Sequence, residues 1–428
     1  MARLDEQDFD EKRLSRRQRR KQGELIAYII LSVFILLLAG GIFLGVHFIS
    51  GLFKEKVTVN EEVEMASSED TSAAVIATPA EVSEPQEYTE EDLSKEIVDS
   101  ILSEMTIEDK VAGLFIVTPE QLTGVDTAVK AGSGTQEALS NYAVGGVVYA
   151  AKNIKSTDQI KEMLDTSVSM SKYPLFTILS ETASQADSVV STLSLAPEEE
   201  ISDSKTAHSA GVHVGTQLFK YGFNFEVGPS IEISENGQFG QDVDSVKENV
   251  SEYATGLKES GVTACGSVFP MKADTASEAA SIDVSKDDLV INQYEAFREA
   301  IESGSLGAVM VSNAAFPQVA GDDTPASLSG TMIEEELRGT LGYDGIVITS
   351  PLTDGAITGR YSPAEAAVNA VKAGADMIYI PENFTESYEA LLSAVQQGSI
   401  SEDRINESIR RIYRVKYADR VNQISQGS

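Results

Sequence analysis

The stretch GIVITSPLTDGAI, Gly345 to Ile357, reads as a buried strand that stops at a mouth. Apolar and β-branched residues run unbroken from Ile346 to Thr349. Such a run fits a strand covered on both faces, not one that alternates between core and water. Ser350 and Pro351 follow, and the first acid is Asp354. Strand ends of this kind carry catalytic groups in many α/β enzymes, yet this one ends in Ser-Pro.

Seven other runs share the character of this one. They are GLFIVT from Gly113, VGGVVYA from Val144, PLFTILS from Pro174, FNFEVGPSIEI from Phe223, ACGSVF from Ala264, AVMVSN from Ala308 and MIYIP from Met377. Helix-like stretches lie between them. STDQIKEMLDTSVSM opens on Ser156, with Gln159 placed as a capping-box partner. SVKENVSEYATGLKESG ends on a glycine, and SPAEAAVNAVKAG has Pro363 at its first turn and Gly374 at its end. Parallel strands that each lead into a helix are expected, and eight such units predict an α/β fold of the (β/α)8 TIM-type barrel class. The open doubly wound sheet is the alternative, and the lack of a Gly-rich phosphate loop counts against it. The stretch SEDRINESIRRIYRVKYADR is expected to close the barrel as a basic-faced helix.

The chain has 428 residues, 42% of them hydrophobic and 23% charged, as in ordinary globular proteins. Its formal charge of -34 is far from ordinary. So acidic a surface repels nucleic acid and anionic lipid, which excludes both as partners of the main domain. The single cysteine, Cys265, forbids an internal disulfide and reads as a buried thiol. His208 and His213 are five residues apart, the wrong spacing for two ligands on one helix face, and His47 lies in an apolar run. No cofactor and no metal are expected.

That apolar run, Leu25 to Ile49, holds 25 residues without Asp, Glu, Lys or Arg. It is long enough to span a bilayer and too long for the core of a cleaved signal peptide. The 1–24 segment carries eight Lys or Arg, which places it in the cytoplasm and the remainder outside. The expected organisation is a cytoplasmic basic segment (1–24), a transmembrane anchor (25–53), a disordered acidic linker (54–89), the barrel (90–420) and a tail (421–428). The linker is rich in Glu, Ser, Thr, Ala and Pro without helical period.

Chemistry would sit at the C-terminal strand ends. There the sequence places Ser180, Glu181 and Thr182 on the third strand, and Glu226 within the fourth with Glu232 at its end. Lys272 and Asp274 follow the fifth, Asn313 ends the sixth, Ser350 and Asp354 follow the seventh, and Glu382 the eighth. A glycosidase needs two carboxyl groups about 5–5.5 Å apart for retention or about 6.5–9.5 Å for inversion. Glu181, Asp274 and Asp354 are the candidates; each is also readable as a solvated rim acid.

From Leu93 to Arg420 the chain resembles the N-terminal catalytic domain of glycoside hydrolase family 3, in its single-domain β-N-acetylhexosaminidase branch. The resemblance rests on MTIEDKVAGLFIV, VGGVVYAAKNI, YGFNFEVGPSIEI, AVNAVKAGADMIYIP and above all TPASLSGTMIEEELRGTLGYDGIVITS. The resemblance implies a nucleophilic Asp after strand seven, where this chain has Ser350. It implies a Lys-His-Phe-Pro-Gly-His-Gly-Asp-Thr motif, which appears as SVFPMKADT. Lys272 stands at the catalytic His, Asp274 and Thr275 match, and Ser267-Val268 replace the sugar-binding Lys-His. The sugar-gripping Asp-x-Glu-Gly-Gly-x-Val-x-Arg becomes SETASQADS, with Ser180, Thr182, Ala183, Ser184 and Ser188 at its key positions. Gly237 replaces an Arg, Asn313 a His, and Glu232 an Asp.

A serine without a base is a poor nucleophile, and Lys272–Asp274 reads most simply as an ion pair. There is no Trp to stack on a pyranose. The expectation is a membrane-anchored, extracytoplasmic pseudoglycosidase that binds a glycan, a peptidoglycan fragment or a protein partner near the cell wall. The competing expectation is an active retaining O-glycosyl hydrolase that uses relocated carboxylates.

Overall fold

The computed structural model describes residues 90–234, 237–272 and 280–427. The expected basic segment, anchor and linker, and also Asp274 and Thr275, lie outside the described residues. All eight predicted strands form: β1 Phe115–Val117, β2 Gly146–Tyr149, β3 Phe176–Leu179, β4 Phe225–Ser230, β5 Thr263–Phe269, β6 Leu306–Val311, β7 Ile346–Thr349 and β8 Ile378–Tyr379. They make one parallel sheet in the order β7-β6-β5-β4-β3-β2-β1-β8. A parallel bridge between Ile348 and Met377 brings β7 beside β8, so the sheet is a nearly closed barrel. The fold is α/β, as a TIM-type barrel requires.

Ahead of β1 lie α1 (Glu90–Glu104) and α2 (Ile107–Ala112). The principal outer helices are α3 (Ser133–Asn141), α4 (Thr157–Met170), α5 (Ser204–Tyr221), α6 (Val243–Glu259), α7 (Glu295–Glu302), α8 (Thr331–Thr340), α9 (Pro363–Ala373), α10 (Phe384–Gln396) and α11 (Glu402–Gly427). The last runs across the expected barrel end at 420. Almost every residue of β1 to β8 is buried, because side chains on one strand face fill the barrel and those on the other meet the helices. Cys265 is among them, and burial pushes its thiol well up.

Local chemistry starts and stops the helices where the sequence places them. Ser156 Oγ caps α4 by accepting from the Gln159 N–H, but the Gln159 side chain accepts from Lys155 rather than closing the box. Ser362 and Glu365 form a complete box ahead of Pro363. Gly374 ends α9 at φ 112°, where a Cβ would also stand 2.2 Å from Glu334 Oε1.

At the N-terminal face, Asp376 is wholly buried just before β8. Its carboxylate faces Arg338 at 2.7 Å and Arg411 at 3.1 Å, and accepts from Ser408 Oγ and the Val347 N–H. Arg404 stands 3.6 Å away and donates to the Ala375 carbonyl. This cluster ties α8 and α11 to the bottom of the barrel, leaving the opposite end for the site. Charge clustered at that bottom face serves stability, not chemistry.

Candidate functional site at the barrel mouth

The β3 end turns directly into Glu181–Ser184, which places Ser180, Glu181 and Thr182 around a mouth cavity of about 270 Å³. Pro351 beyond β7 and Tyr379 and Ile380 of the β8 end line the same space, with Val148, Val227 and Met310. Its walls are therefore mainly apolar. Ile380 holds a left-handed φ of 46°, which costs a β-branched residue about 1–3 kcal/mol. Its N–H donates to the Ile116 carbonyl, so the neighbouring strand helps fix that conformation.

Ser350 is buried at the tip of β7, and its N–H donates to the Val311 carbonyl at 2.9 Å. Pro351 adds no backbone donor to the mouth. Asp354 lies one turn on, at the start of the short helix Gly355–Thr358. The Asn313 amide donates to Asp354 Oδ2 at 2.9 Å and to the Pro351 carbonyl at 2.8 Å. Ser327 Oγ donates to Asn313 Oδ1 at 2.6 Å. Partial burial pushes the Asp354 carboxyl above the usual carboxylate range, and the Asn313 hydrogen bond opposes that rise.

Lys272 emerges after β5 with its side chain 59% exposed. Its Nζ lies 3.6 Å from Glu181 Oε1, an ion pair rather than a hydrogen bond. The expected partner, Asp274, is outside the described residues. Glu181 Oε1 is shielded from water and has no hydrogen-bond partner. Glu232 is exposed beyond β4 and does not line the mouth cavity. Glu226 does not line it either; it borders a second cavity behind β4.

The structure thus gathers Ser180, Glu181, Thr182 and Pro351 in one space, joins Asn313 to Asp354, and adds the Glu181–Lys272 contact. The apolar lining was not read from the sequence. Strands buried on both faces lack the alternation that would say which residues point into the mouth. Among the described residues, the histidines are both on α5. His208 contacts Glu252 and Glu259 at 3.1 and 3.2 Å, and His213 contacts the Ser194 carbonyl. Neither is placed to take a proton from Ser350.

A barrel with this strand order and this framework defines a class, and the comparisons identify it. The model for the Glycosyl hydrolase family 3 N terminal domain matches residues 106–415, and the chain belongs to that family. A family 3 β-N-acetylglucosaminidase from a Paenibacillus species superposes with a TM-score of 0.66 at 28% identity, covering 74% of this chain and 63% of that one. A β-hexosaminidase of Tolumonas auensis is 24% identical over 266 residues, covering 58% of this chain and 78% of that protein. Beta-hexosaminidase A of Pseudoalteromonas piscicida is 21% identical over 324 residues. The chain spans only 54% of that relative's length.

Proposed function

We propose that this family 3 chain is a membrane-anchored, extracytoplasmic protein whose catalytic constellation has been dismantled, and whose barrel mouth binds a glycan or a cell-wall partner. The observation that carries the reading is Ser350, a buried neutral residue at the strand tip where the resemblance implies a carboxylate nucleophile. An enzyme must lower its barrier by about 8 kcal/mol or more, and a serine without a base does not supply that. The apolar mouth supports binding through a sugar's C–H face, an N-acetyl methyl or an apolar protein side chain. Anchoring rests on the uncharged stretch Leu25–Ile49.

One observation favours the second reading, an active retaining hydrolase with relocated carboxylates. Asp354 is a carboxyl raised by burial and oriented by Asn313, as a proton donor would be. A chromogenic N-acetylglucosaminide assay on the full chain separates the two. No turnover is expected. Turnover that disappears in Asp354→Ala, Asp274→Ala or Glu181→Ala overturns the impaired-enzyme reading. A thermal-shift screen against peptidoglycan fragments addresses binding, and a shift lost on filling the mouth with Ala150→Phe is the expected result.

A further inference from the structure

The wall between β4 and the helices encloses a second cavity, of about 210 Å³, outside the barrel axis. Its deep lining includes Glu226, Phe239, Ala210 and Tyr253, all buried. Gln185, Ala196, Pro197 and Gln238 line it too and are exposed, so it opens to solvent there. A water molecule takes about 30 Å³ in the liquid, so there is room for a small organic molecule.

Glu226 is only 5% exposed. Among the described residues its hydrogen-bond partner is the Tyr253 hydroxyl, which donates to Oε2 at a long 3.4 Å. No lysine, arginine or histidine among the described residues lines the cavity. Among the described residues, none forms an ion pair with Glu226. A second carboxylate, Glu181, borders the same space; its shielded Oε1 has no hydrogen-bond partner, and its counter-charge is the mostly exposed Lys272 Nζ at 3.6 Å. A buried carboxylate without a counter-charge is costly, and the fold leaves space beside it.

We propose that this cavity is a binding site for a small primary ammonium ion, with Glu226 as its buried counter-ion and Glu181 as a second acceptor. The ligand chemistry follows from what would offset the burial. An anion is repelled by the unpaired Glu226 carboxylate, and a neutral polyol leaves the Glu226 charge uncompensated. A divalent metal wants more oxygen ligands than this, and the described residues hold no cluster fit for one. A primary ammonium brings one charge and three donors, for which Glu226 and Glu181 supply carboxylate acceptors. Burial has pushed the Glu226 carboxyl up to about 7, so an incoming cation restores the ionised form.

The test is isothermal titration of the full chain with 1,4-diaminobutane and with ethanolammonium, and with 1,4-butanediol as the uncharged control. Saturable binding of the amines at pH 8 is expected, with no binding of the diol. Glu226→Gln should weaken the amines at least about tenfold, because it removes the buried partner of the charge. On the unaltered protein, binding at pH 6 should release protons, seen as a heat that depends on the buffer's ionisation enthalpy. The proposal is overturned by no saturable heat, by equal binding of the diol, by unchanged affinity in a folded Glu226→Gln, or by amine binding at pH 6 without proton release.

Discussion

Asn313 is the hinge between two strand ends: one amide nitrogen reaches both Asp354 Oδ2, at 2.9 Å, and the Pro351 carbonyl, at 2.8 Å. Its oxygen is held in turn by Ser327. Replacing Asn313 by Ala strands Asp354, Pro351 and Ser327 together in a half-buried place. A loss of about 1–3 kcal/mol is expected, since orphaned polar groups keep their desolvation penalty. A urea midpoint that falls at constant m-value checks it. Asn313→Ala with wild-type stability would show the network to be ornamental.

The pH dependence set by Glu226 has the opposite sign to ordinary acid denaturation. Its folded value, about 7, lies above the usual 4.5, because burial outweighs the Tyr253 hydrogen bond. Between those two values the native state keeps a proton that the unfolded chain gives up. The group's contribution is therefore most favourable below about pH 4.5 and is lost as pH rises through 7. At pH 8 the residual cost is on the order of 3 kcal/mol. Glu226→Gln keeps an acceptor for Tyr253 and should raise stability at pH 8 while changing little at pH 4. Denaturation curves of both proteins at the two pH values measure the difference, and equal shifts at both would refute the assignment.

The eight strands were legible because a strand covered on both faces has to be apolar nearly throughout, and GIVITS and its seven counterparts are. The same property hid the direction of each side chain. Glu226 sits inside such a run, and nothing in FNFEVGPSIEI says that it looks away from the mouth. The Lys272–Glu181 contact was hidden for another reason: it joins the ends of β5 and β3, which lie far apart in sequence and on either side of β4. Asp376 in KAGADMIYIP reads as an ordinary acid before a strand. Only the fold brings Arg338, Arg404 and Arg411 around it.

That cluster at the barrel's N-terminal face yields a stability prediction without bearing on function. Asp376→Ala leaves three guanidinium groups facing one another with their shared anion gone. Breaking a buried ion pair on one side typically costs about 3–5 kcal/mol, and this one has extra hydrogen bonds from Ser408 and Val347. The variant should be strongly destabilised by urea titration. Arg404→Ala should lose much less, because its guanidinium is the most distant of the three, at 3.6 Å. Equal losses in the two variants would mean that Asp376 is not the centre of the cluster.

The packing of α5 against α6 depends on Gly211. A Cβ there would lie 2.1 Å from the Tyr253 carbonyl oxygen, a backbone atom that no side-chain rotation can move. Gly211→Ala removes unfolded-state entropy and improves helix propensity, which together favour the variant by about 1 kcal/mol. The clash has to push the two helices apart and shift the Tyr253 backbone, which typically costs 1–3 kcal/mol or more. Overpacking therefore wins, and the variant is expected to be less stable despite the better helix former. The same movement displaces the Tyr253 hydroxyl from Glu226 and reshapes the side cavity. Amine binding should consequently weaken in Gly211→Ala, while Gly134→Ala on α3, where a Cβ meets nothing within 4 Å, should leave both stability and binding near the wild-type values or slightly better. Calorimetry on the two variants side by side separates a packing effect at the α5–α6 crossing from a general response to removing glycine.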